Sequence, residues 1–166
     1  MDTTEQTVQE LAKKLGARLL MKGMKLTTAE SCTGGWIAKA VTDIAGSSDW
    51  FECAIVSYSN ESKKHFLKVP GGVLLDHGAV SENTVIAMQK GLFMETRADA
   101  GISVSGIAGP GGGSEDKPVG TVWIAVSLRD KMVHTQKFLF EGDRNQVRLK
   151  AVEAALDALL ELVERG

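Results

Sequence analysis

The chain has 166 residues, enough for one globular domain, and residues 1–166 are predicted to form a single domain. It carries 19 lysines and arginines against 21 aspartates and glutamates, and the resulting net charge of -2 argues against a nucleic-acid partner or an anionic membrane surface. No apolar run approaches the roughly 20 residues of a transmembrane helix, and the first residues lack the apolar core of a signal peptide. By elimination, a small molecule is the favoured partner.

The cysteines and histidines show no metal-binding pattern. Cys32 and Cys53 form no CxxC pair, and His65, His77 and His134 lack the spacing of paired ligands. No metal and no cofactor are therefore predicted. Reduced thiols and a cytoplasmic location are expected, because nothing indicates export to an oxidising compartment.

Hydrophobic periodicity predicts helices that alternate with short strands. In the first half, the pattern predicts helices at 4–21, 36–44 and 62–67 and strands at 25–28 and 51–58. In the second half, it predicts a loop at 70–72, a helix at 83–96, strands at 100–105, 119–128 and 132–140, and a long helix from about 144.

These elements predict a layered α/β domain with a mixed sheet of about five strands, whose order the sequence does not determine. On the 83–96 helix, four residues are expected mainly on the buried side: Val85, Met88, Leu92 and Met94.

A glycine-rich segment at 103–123 joins two β-type runs. Glycine permits close approach of the backbone to a ligand, so the segment is interpreted as one wall of a binding site; the alternative is a flexible surface loop. Neither GxGxxG nor GxxxxGK[ST] occurs in it, so no phosphate-binding fingerprint supports the first reading.

A strand, a small polar turn at 29–35 and a helix follow one another, with Ser31 at the corner. This arrangement gathers backbone N–H groups that face an anion or a developing oxyanion, although a serine there is often a plain helix cap. Glu30 and Asp143 are interpreted either as partners of cations or as helix caps.

Lys63 falls in the first turn of a short helix, where the helix dipole disfavours its charge. A lowered pKa is one reading and a solvated surface lysine is the other. The nucleophile candidates are Ser31, Ser48, Ser105 and Cys32, and the base candidates are Lys63 and Tyr58. A serine activated by a neutral lysine is the chemistry that these residues most readily permit.

Six segments together resemble one family across nearly the whole chain: TTAESCTGG (27–35), IAGSSDWF (44–51), YSNESK (58–63), GAVSE (78–82), SGIAGPGGGSEDKPVGTVW (105–123) and GDRNQVR (142–148). They resemble the CinA C-terminal-domain family, which includes stand-alone nicotinamide mononucleotide amidohydrolases.

The resemblance implies hydrolysis of the carboxamide of nicotinamide mononucleotide to nicotinate mononucleotide and ammonia, by a metal-free Ser/Lys mechanism. It implies Ser31 as the nucleophile, Lys63 as its base and Ser48 as the second choice of nucleophile. Tyr58 is expected to orient Lys63 or to stack on the pyridinium ring. Arg144 is expected at the substrate phosphate, with Arg148 as the alternative.

The remaining substrate-binding residues implied by the resemblance lie in the matching motifs: Thr33, Gly34, Gly35, Ser48, Ser105 and Gly106. Backbone N–H groups near 32–35 or near Gly106 are expected to hold the oxyanion. Two other functions stay open, namely a catalytically silent nucleotide-binding or regulatory module and an amidase for another small amide. A homo-oligomer is a further possibility.

Overall fold

The computed structural model describes residues 2–166, with six α-helices and five strands in that part of the chain. The elements of the first half are α1 (Glu5–Met21), β1 (Leu26–Glu30), α2 (Trp36–Thr42), a 3-10 turn (Ser47–Asp49), β2 (Phe51–Val56) and α3 (Asn60–Leu67). Those of the second half are α4 (Gly71–His77), α5 (Glu82–Glu95), β3 (Ala100–Gly106), β4 (Thr121–Leu128), β5 (His134–Leu139) and α6 (Arg144–Arg165).

The five strands form one mixed sheet in the order β2-β1-β3-β4-β5. β1 pairs in parallel with both β2 and β3, whereas β3 with β4 and β4 with β5 are antiparallel. The predicted fold class, an α/β domain with a mixed sheet of about five strands, is confirmed.

Helices cover both faces of the sheet. α1, α2 and α6 pack on one face around a core that includes Leu15, Ile102 and Leu156, while α3, α4 and α5 cover the other around Leu67 and Met88. All five residues of β1 are buried, because this strand lies between two neighbours and two helical layers. No helix in residues 2–166 is both long enough and apolar enough to cross a membrane.

Side-chain caps fix where the helices begin. Thr4 and Asp143 form capping boxes at the starts of α1 and α6, and Ser59 and Ser81 accept N–H bonds at the starts of α3 and α5. Because Ser59 fixes the start of α3, Lys63 is the fourth residue of this helix, where its side chain is buried.

Two predictions about elements were wrong. The loop predicted at 70–72 is the start of α4, whose N-cap is Pro70 and whose side chain Leu74 is buried. Met94 is 70% exposed instead of buried. It lies two residues after the fully buried Leu92, a rotation of about 200° around the helix axis.

The topology gathers several chain segments at one edge of the sheet. β1, β2 and β3 are parallel, so the residues that follow them, including Ser31 and Tyr58, emerge at their shared carboxyl edge. β5 runs in the same direction as β3, which brings the start of α6 and Arg144 to that edge as well. The candidate site is there.

Candidate active site

A cavity of about 270 Å³ opens at the carboxyl edge of β1, β2 and β3. Its lining combines two hydroxyl groups, a thiol, a phenol and two cations with apolar side chains and backbone: Ser31, Cys32, Tyr58, Lys63, Ala79, Val80, Ser105, Gly106, Ile107, Ala108, Gly109, Gly111, Gly112 and Arg144. No carboxylate lines it, which favours an anionic ligand group beside Arg144.

Ser31 and Lys63 face each other in this cavity. The Lys63 Nζ lies 3.0 Å from the Ser31 Oγ, within hydrogen-bond distance, although the two residues are 32 positions apart in the chain. The same Nζ donates to the backbone oxygen of Ser57 at 2.9 Å and to that of Tyr58 at 3.1 Å. Three acceptors therefore fix the end of this lysine side chain.

Lys63 is only 1% exposed. Burial penalises its charged form and lowers the pKa of its amine from 10.5 to about 8. Of the ion pairs in residues 2–166, none includes Lys63, so no carboxylate offsets that penalty. The predicted lowering of the pKa is confirmed, but its cause is burial and the alternative of a solvated surface lysine is wrong.

Cys32 also borders the cavity but is a poor nucleophile. Burial raises the pKa of its thiol to about 12, outweighing the opposing effect of the nearby Arg148 cation. A thiol with this pKa is almost entirely protonated at neutral pH, and the thiolate is the reactive form. Of the two neighbouring side chains, Ser31 is therefore the better candidate.

The turn after β1 differs from the expected open anion site. The N–H groups of Ile37 and Ala38, at the start of α2, donate to the Glu30 carboxylate instead. The capping reading of Glu30 describes this contact. The helix start is thus already occupied by a charge of this chain and is not open to a ligand.

Three residues of that turn which were expected at the substrate, Thr33, Gly34 and Gly35, are not part of the cavity lining. Thr33 is fully buried and its hydroxyl donates to Glu30 at 2.7 Å. A Cβ on Gly34 would lie 3.2 Å from a guanidinium nitrogen of Arg148. Their contacts are thus with Glu30 and Arg148, and the structure does not bring them to the cavity.

The two candidate phosphate-binding arginines have different surroundings. Arg144 lines the cavity, donates to the Gly109 oxygen at 2.7 Å and lies 3.3 Å from the Tyr58 hydroxyl. Arg148 instead donates to the backbone oxygens of Cys32 and Thr33 and does not line the cavity. Only Arg144 is placed to meet a ligand there.

The glycine-rich segment forms part of the cavity wall. Ser105 and Gly106 end β3 and both line the cavity. A Cβ on Gly106 would lie 2.6 Å from a methyl of Val122, so the close β3–β4 pairing at this point requires glycine. Further along, Lys117 donates to the His77 oxygen at 2.6 Å and ties the segment to the end of α4.

Ser48 is remote from these residues. It is exposed and lies in the 3-10 turn that precedes β2, whereas Tyr58 follows β2. The length of the strand separates it from the cavity, and Ser48 is absent from the cavity lining. The structure therefore does not bring the second-choice nucleophile to Lys63.

Sequence reasoning missed several contributors to the cavity. The backbone oxygens of Ser57 and Tyr58 hold Lys63, and a backbone acceptor leaves no signature in residue type. Ala79 and Val80 line the cavity without any chemical group that marks them as functional, although they lie in the motif at 78–82. In residues 2–166, no group of three or more His, Cys, Asp or Glu side chains is placed to hold a metal ion.

Comparison with known proteins identifies the family of the chain. The family model of the CinA C-terminal domain matches residues 8–163. A protein of Escherichia coli K12 named nicotinamide-nucleotide amidohydrolase PncC is 49% identical over 156 residues, covering 94% of each chain. A protein of the same name from Pseudomonas putida is 47% identical over 155 residues, covering 93% of this chain and 96% of the relative.

Solved structures agree with the sequence comparison. A CinA superfamily protein from Klebsiella pneumoniae 700603 superposes with a TM-score of 0.92 at 38% identity, covering 96% of this chain and 99% of that chain. A competence/damage-inducible protein from Agrobacterium tumefaciens has a TM-score of 0.92 at 39% identity and covers 98% of both chains. With a family model that spans residues 8–163 and relatives of such identity and coverage, the chain belongs to the CinA C-terminal domain family.

Proposed function

We propose that residues 1–166 form a single nicotinamide mononucleotide amidohydrolase domain, which hydrolyses the carboxamide of its substrate to a carboxylate and ammonia through a Ser/Lys mechanism. The observation that carries the proposal is the buried Lys63 amine 3.0 Å from the Ser31 hydroxyl, at the wall of a cavity that also contains Arg144. Relatives named nicotinamide-nucleotide amidohydrolase, at 47–49% identity, support this choice of substrate.

The contacts of Lys63 suit a general base. A neutral amine has two N–H groups and one lone pair. When the two N–H groups donate to the Ser57 and Tyr58 oxygens, the lone pair is directed at the third neighbour, the Ser31 hydroxyl. The backbone thus aims the basic site of Lys63 at the proton that it removes.

The reaction then follows in balanced steps. Lys63 takes the Ser31 proton as the Ser31 oxygen bonds to the carboxamide carbon, forming a tetrahedral oxyanion. The Lys63 ammonium gives its proton to the leaving nitrogen, the C–N bond breaks and ammonia departs. Water then attacks the acyl-enzyme while Lys63 accepts its proton, and the release of the carboxylate returns that proton to Ser31.

Backbone N–H groups of Cys32 and Ala108 are assigned to the oxyanion. Both residues line the cavity, and within residues 2–166 neither N–H donates to a backbone oxygen. The Ser31 N–H, in contrast, is used by the Val104 oxygen at 3.0 Å. An N–H group that lines a substrate cavity and has no backbone acceptor is suited to stabilise a developing oxyanion.

The charge of the substrate assists the reaction. A pyridinium ring held near Lys63 disfavours the protonated amine by like-charge repulsion and makes the carboxamide carbon more electrophilic. Arg144, at the cavity, is assigned to the phosphate, and Tyr58, which is 64% exposed beside it, to the face of the pyridinium ring. The proposal retains three predictions made from the sequence. The enzyme is cytoplasmic, needs no cofactor, and is a candidate homo-oligomer.

The first test is ammonia release from nicotinamide mononucleotide in the presence of a metal chelator. We expect wild-type activity to survive chelation and Ser31→Ala and Lys63→Ala to lose on the order of 10⁶-fold in kcat, the scale seen when a nucleophile or its base is removed. Ser48→Ala is the matched control and should keep full activity. An active Ser31→Ala, or an inactive wild type whose melting temperature the mononucleotide still raises, would refute the mechanism.

A second test concerns Arg144. We expect Arg144→Gln to raise KM for the mononucleotide about tenfold or more, the loss of one charge-assisted contact, with little change for nicotinamide riboside, which lacks the phosphate. Arg148→Gln serves as the comparison, because Arg148 holds the Cys32 and Thr33 oxygens and should act mainly on kcat. Equal rates for mononucleotide and riboside in the wild type would contradict the assignment.

A further inference from the structure

Glu30 is a fully buried carboxyl group that the proposed chemistry does not use. It is 0% exposed, ends β1 and immediately precedes Ser31. It does not line the cavity, so it contacts neither the substrate nor the reacting atoms. Burial of a carboxylate lowers the free energy of unfolding unless hydrogen bonds compensate for the lost hydration. The contacts of Glu30 therefore indicate its role.

All four of its contacts are hydrogen-bond donors. Oε1 accepts from the Thr33 hydroxyl at 2.7 Å and from the Ile37 N–H at 2.9 Å, and Oε2 accepts from the Ala38 N–H at 3.0 Å and from the Thr28 hydroxyl at 3.3 Å. Two ionised oxygens offer about four acceptor sites, so four donors saturate the group.

These donors lie before, within and after the turn that carries Ser31. Thr28 belongs to β1, Thr33 to the turn, and Ile37 and Ala38 to α2. One side chain therefore holds together the strand, the turn and the following helix. Arg148 holds the same turn from outside through the Cys32 and Thr33 oxygens.

The backbone of Glu30 connects the turn to the base. Its oxygen accepts from the Ser57 N–H at 3.0 Å, and the oxygen of Ser57 in turn holds the Lys63 Nζ at 2.9 Å. Ser31 itself donates its N–H to Val104. Residue 30 is thus linked to the nucleophile on one side and to the support of the base on the other.

We propose that Glu30 is a positioning residue, whose carboxylate fixes the 31–35 turn so that the Ser31 hydroxyl stays within hydrogen-bond distance of Lys63. This inference rests on the function proposed above. It predicts an effect on kcat with little effect on KM, because Glu30 acts on the nucleophile and does not touch the cavity.

Glutamine is the informative replacement, because it keeps the shape of the side chain, removes its charge and replaces one acceptor by a donor. Its NH2 group is a donor, and in either orientation of the amide it faces one of the two α2 N–H groups, which are also donors. One N–H of α2 then loses its partner and the helix start shifts relative to β1. Displacement of a reacting group by about 1 Å costs on the order of 100-fold in rate.

Thr33 provides a second, milder variant. Its hydroxyl donates to Glu30 and to nothing else in residues 2–166, and its side chain does not line the cavity. Thr33→Val removes that single bond at nearly constant volume, whereas Thr33→Ser keeps the hydroxyl and should rescue activity. Thr4→Ala, which removes the cap of α1 and changes no hydrogen bond of Glu30 and no residue of the cavity lining, is the control for a general loss of stability.

The experiment measures kcat and KM for ammonia release from nicotinamide mononucleotide, together with melting temperatures, for Glu30→Gln, Thr33→Val, Thr33→Ser, Thr4→Ala and Ser31→Ala. We expect Glu30→Gln to lower kcat about 100-fold and Thr33→Val about tenfold, each with KM within about twofold of wild type. Thr33→Ser and Thr4→Ala should stay within about twofold of the wild-type kcat.

Each outcome of this experiment supports or contradicts the positioning role of Glu30. If Glu30→Gln does not fold, the test rests on the loss of kcat in Thr33→Val and on the wild-type kcat of Thr33→Ser. A folded Thr33→Val with the kcat of wild type, or variants whose loss is confined to KM, would overturn the positioning role. The proposed function fails separately, through an inactive wild type or an active Ser31→Ala.

Discussion

At the scale of single residues, the Lys63 side chain has hydrogen-bond partners for all its polar groups in both protonation states. As an ammonium it donates to the Ser31 hydroxyl and to the oxygens of Ser57 and Tyr58; as an amine it keeps the two backbone contacts and accepts from Ser31. The proton can therefore move between Ser31 and Lys63 without rearrangement of the surrounding backbone. A site that needs no reorganisation during the reaction lowers the barrier to it.

The pH dependence of kcat/KM follows from the pKa of about 8 for Lys63. The base must be neutral, so kcat/KM should rise about tenfold per pH unit below that pKa and become level above it. The Cys32 thiol, with a pKa of about 12, does not contribute an inflection in this range. Initial rates of ammonia release between pH 6 and 10, in buffers of constant ionic strength, provide the measurement; a profile that is flat or falls from pH 7 to 9 would exclude a lysine base.

How much of this site was predictable differs from residue to residue. The motifs indicate both Ser31 and Lys63, and the helix dipole predicts a lowered pKa of Lys63, whereas the structure shows that burial lowers it. Burial of a lysine depends on packing between distant segments, which local sequence does not contain. The Ser57 oxygen was unpredictable for a simpler reason, since every residue has the same backbone acceptor.

At the scale of elements, the position of Lys63 depends on how closely α3 approaches α5. Leu67 ends α3, and its backbone oxygen lies directly against Gly91 of α5. A Cβ at Gly91 would overlap that oxygen. Only glycine allows the two helices to approach this closely.

Gly91→Ala should therefore destabilise the protein and reduce its activity. We expect a loss of about 1–3 kcal/mol in the free energy of unfolding, the usual cost of overpacking, and a lower kcat, because α3 carries Lys63. Gly72→Ala in α4 is the matched control: nothing lies within 4 Å of its added Cβ, and alanine favours helix by about 0.5–1 kcal/mol. Urea unfolding and ammonia release measure both. A Gly91→Ala protein as stable and active as Gly72→Ala would contradict this account of the packing.

Most elements were predictable because their periodicity is strong and their caps are local, as at α1, α5 and α6. α4 was not, because Pro70, Gly71 and Gly72 are typical of a loop. The apolar residues that follow, Val73 and Leu74, form a helix through packing against the core shared with α5. Tertiary contacts override a weak local preference there.

At the scale of the whole molecule, the strand order assembles the site. Ser31, Lys63, Ser105 and Arg144 are spread over more than a hundred positions and meet because the strands before them share one direction. The sequence predicted the strands but not their order, and several orders of five strands satisfy the same hydrophobic pattern. The separation of Ser48 from the cavity follows from strand direction instead, because Ser48 precedes β2 and the cavity lies at the carboxyl edge of that strand.

The assembled site also costs stability, and the cost depends on pH. The pKa of the Lys63 amine is 10.5 without perturbation and about 8 in the folded protein. Between these values the unfolded chain binds more protons than the folded one, so the free energy of unfolding rises with pH across this window. Below pH 8 both states are protonated, and the full penalty of the buried charge, about 3 kcal/mol, is present.

Lys63→Met isolates this contribution, because methionine fills a similar space and has no proton to bind. We expect the stability of the wild type relative to Lys63→Met to increase by about 3 kcal/mol between pH 7 and pH 10.5, since only the wild type is relieved of the buried charge. Urea unfolding of both proteins at pH 7, 8.5 and 10.5 measures the difference, and groups that the two proteins share cancel in it. A difference that stays constant with pH would mean that the pKa of Lys63 is not lowered in the folded protein, and one that shrinks would mean that Lys63 is paired with an anion. In either case the site would need another explanation for its base.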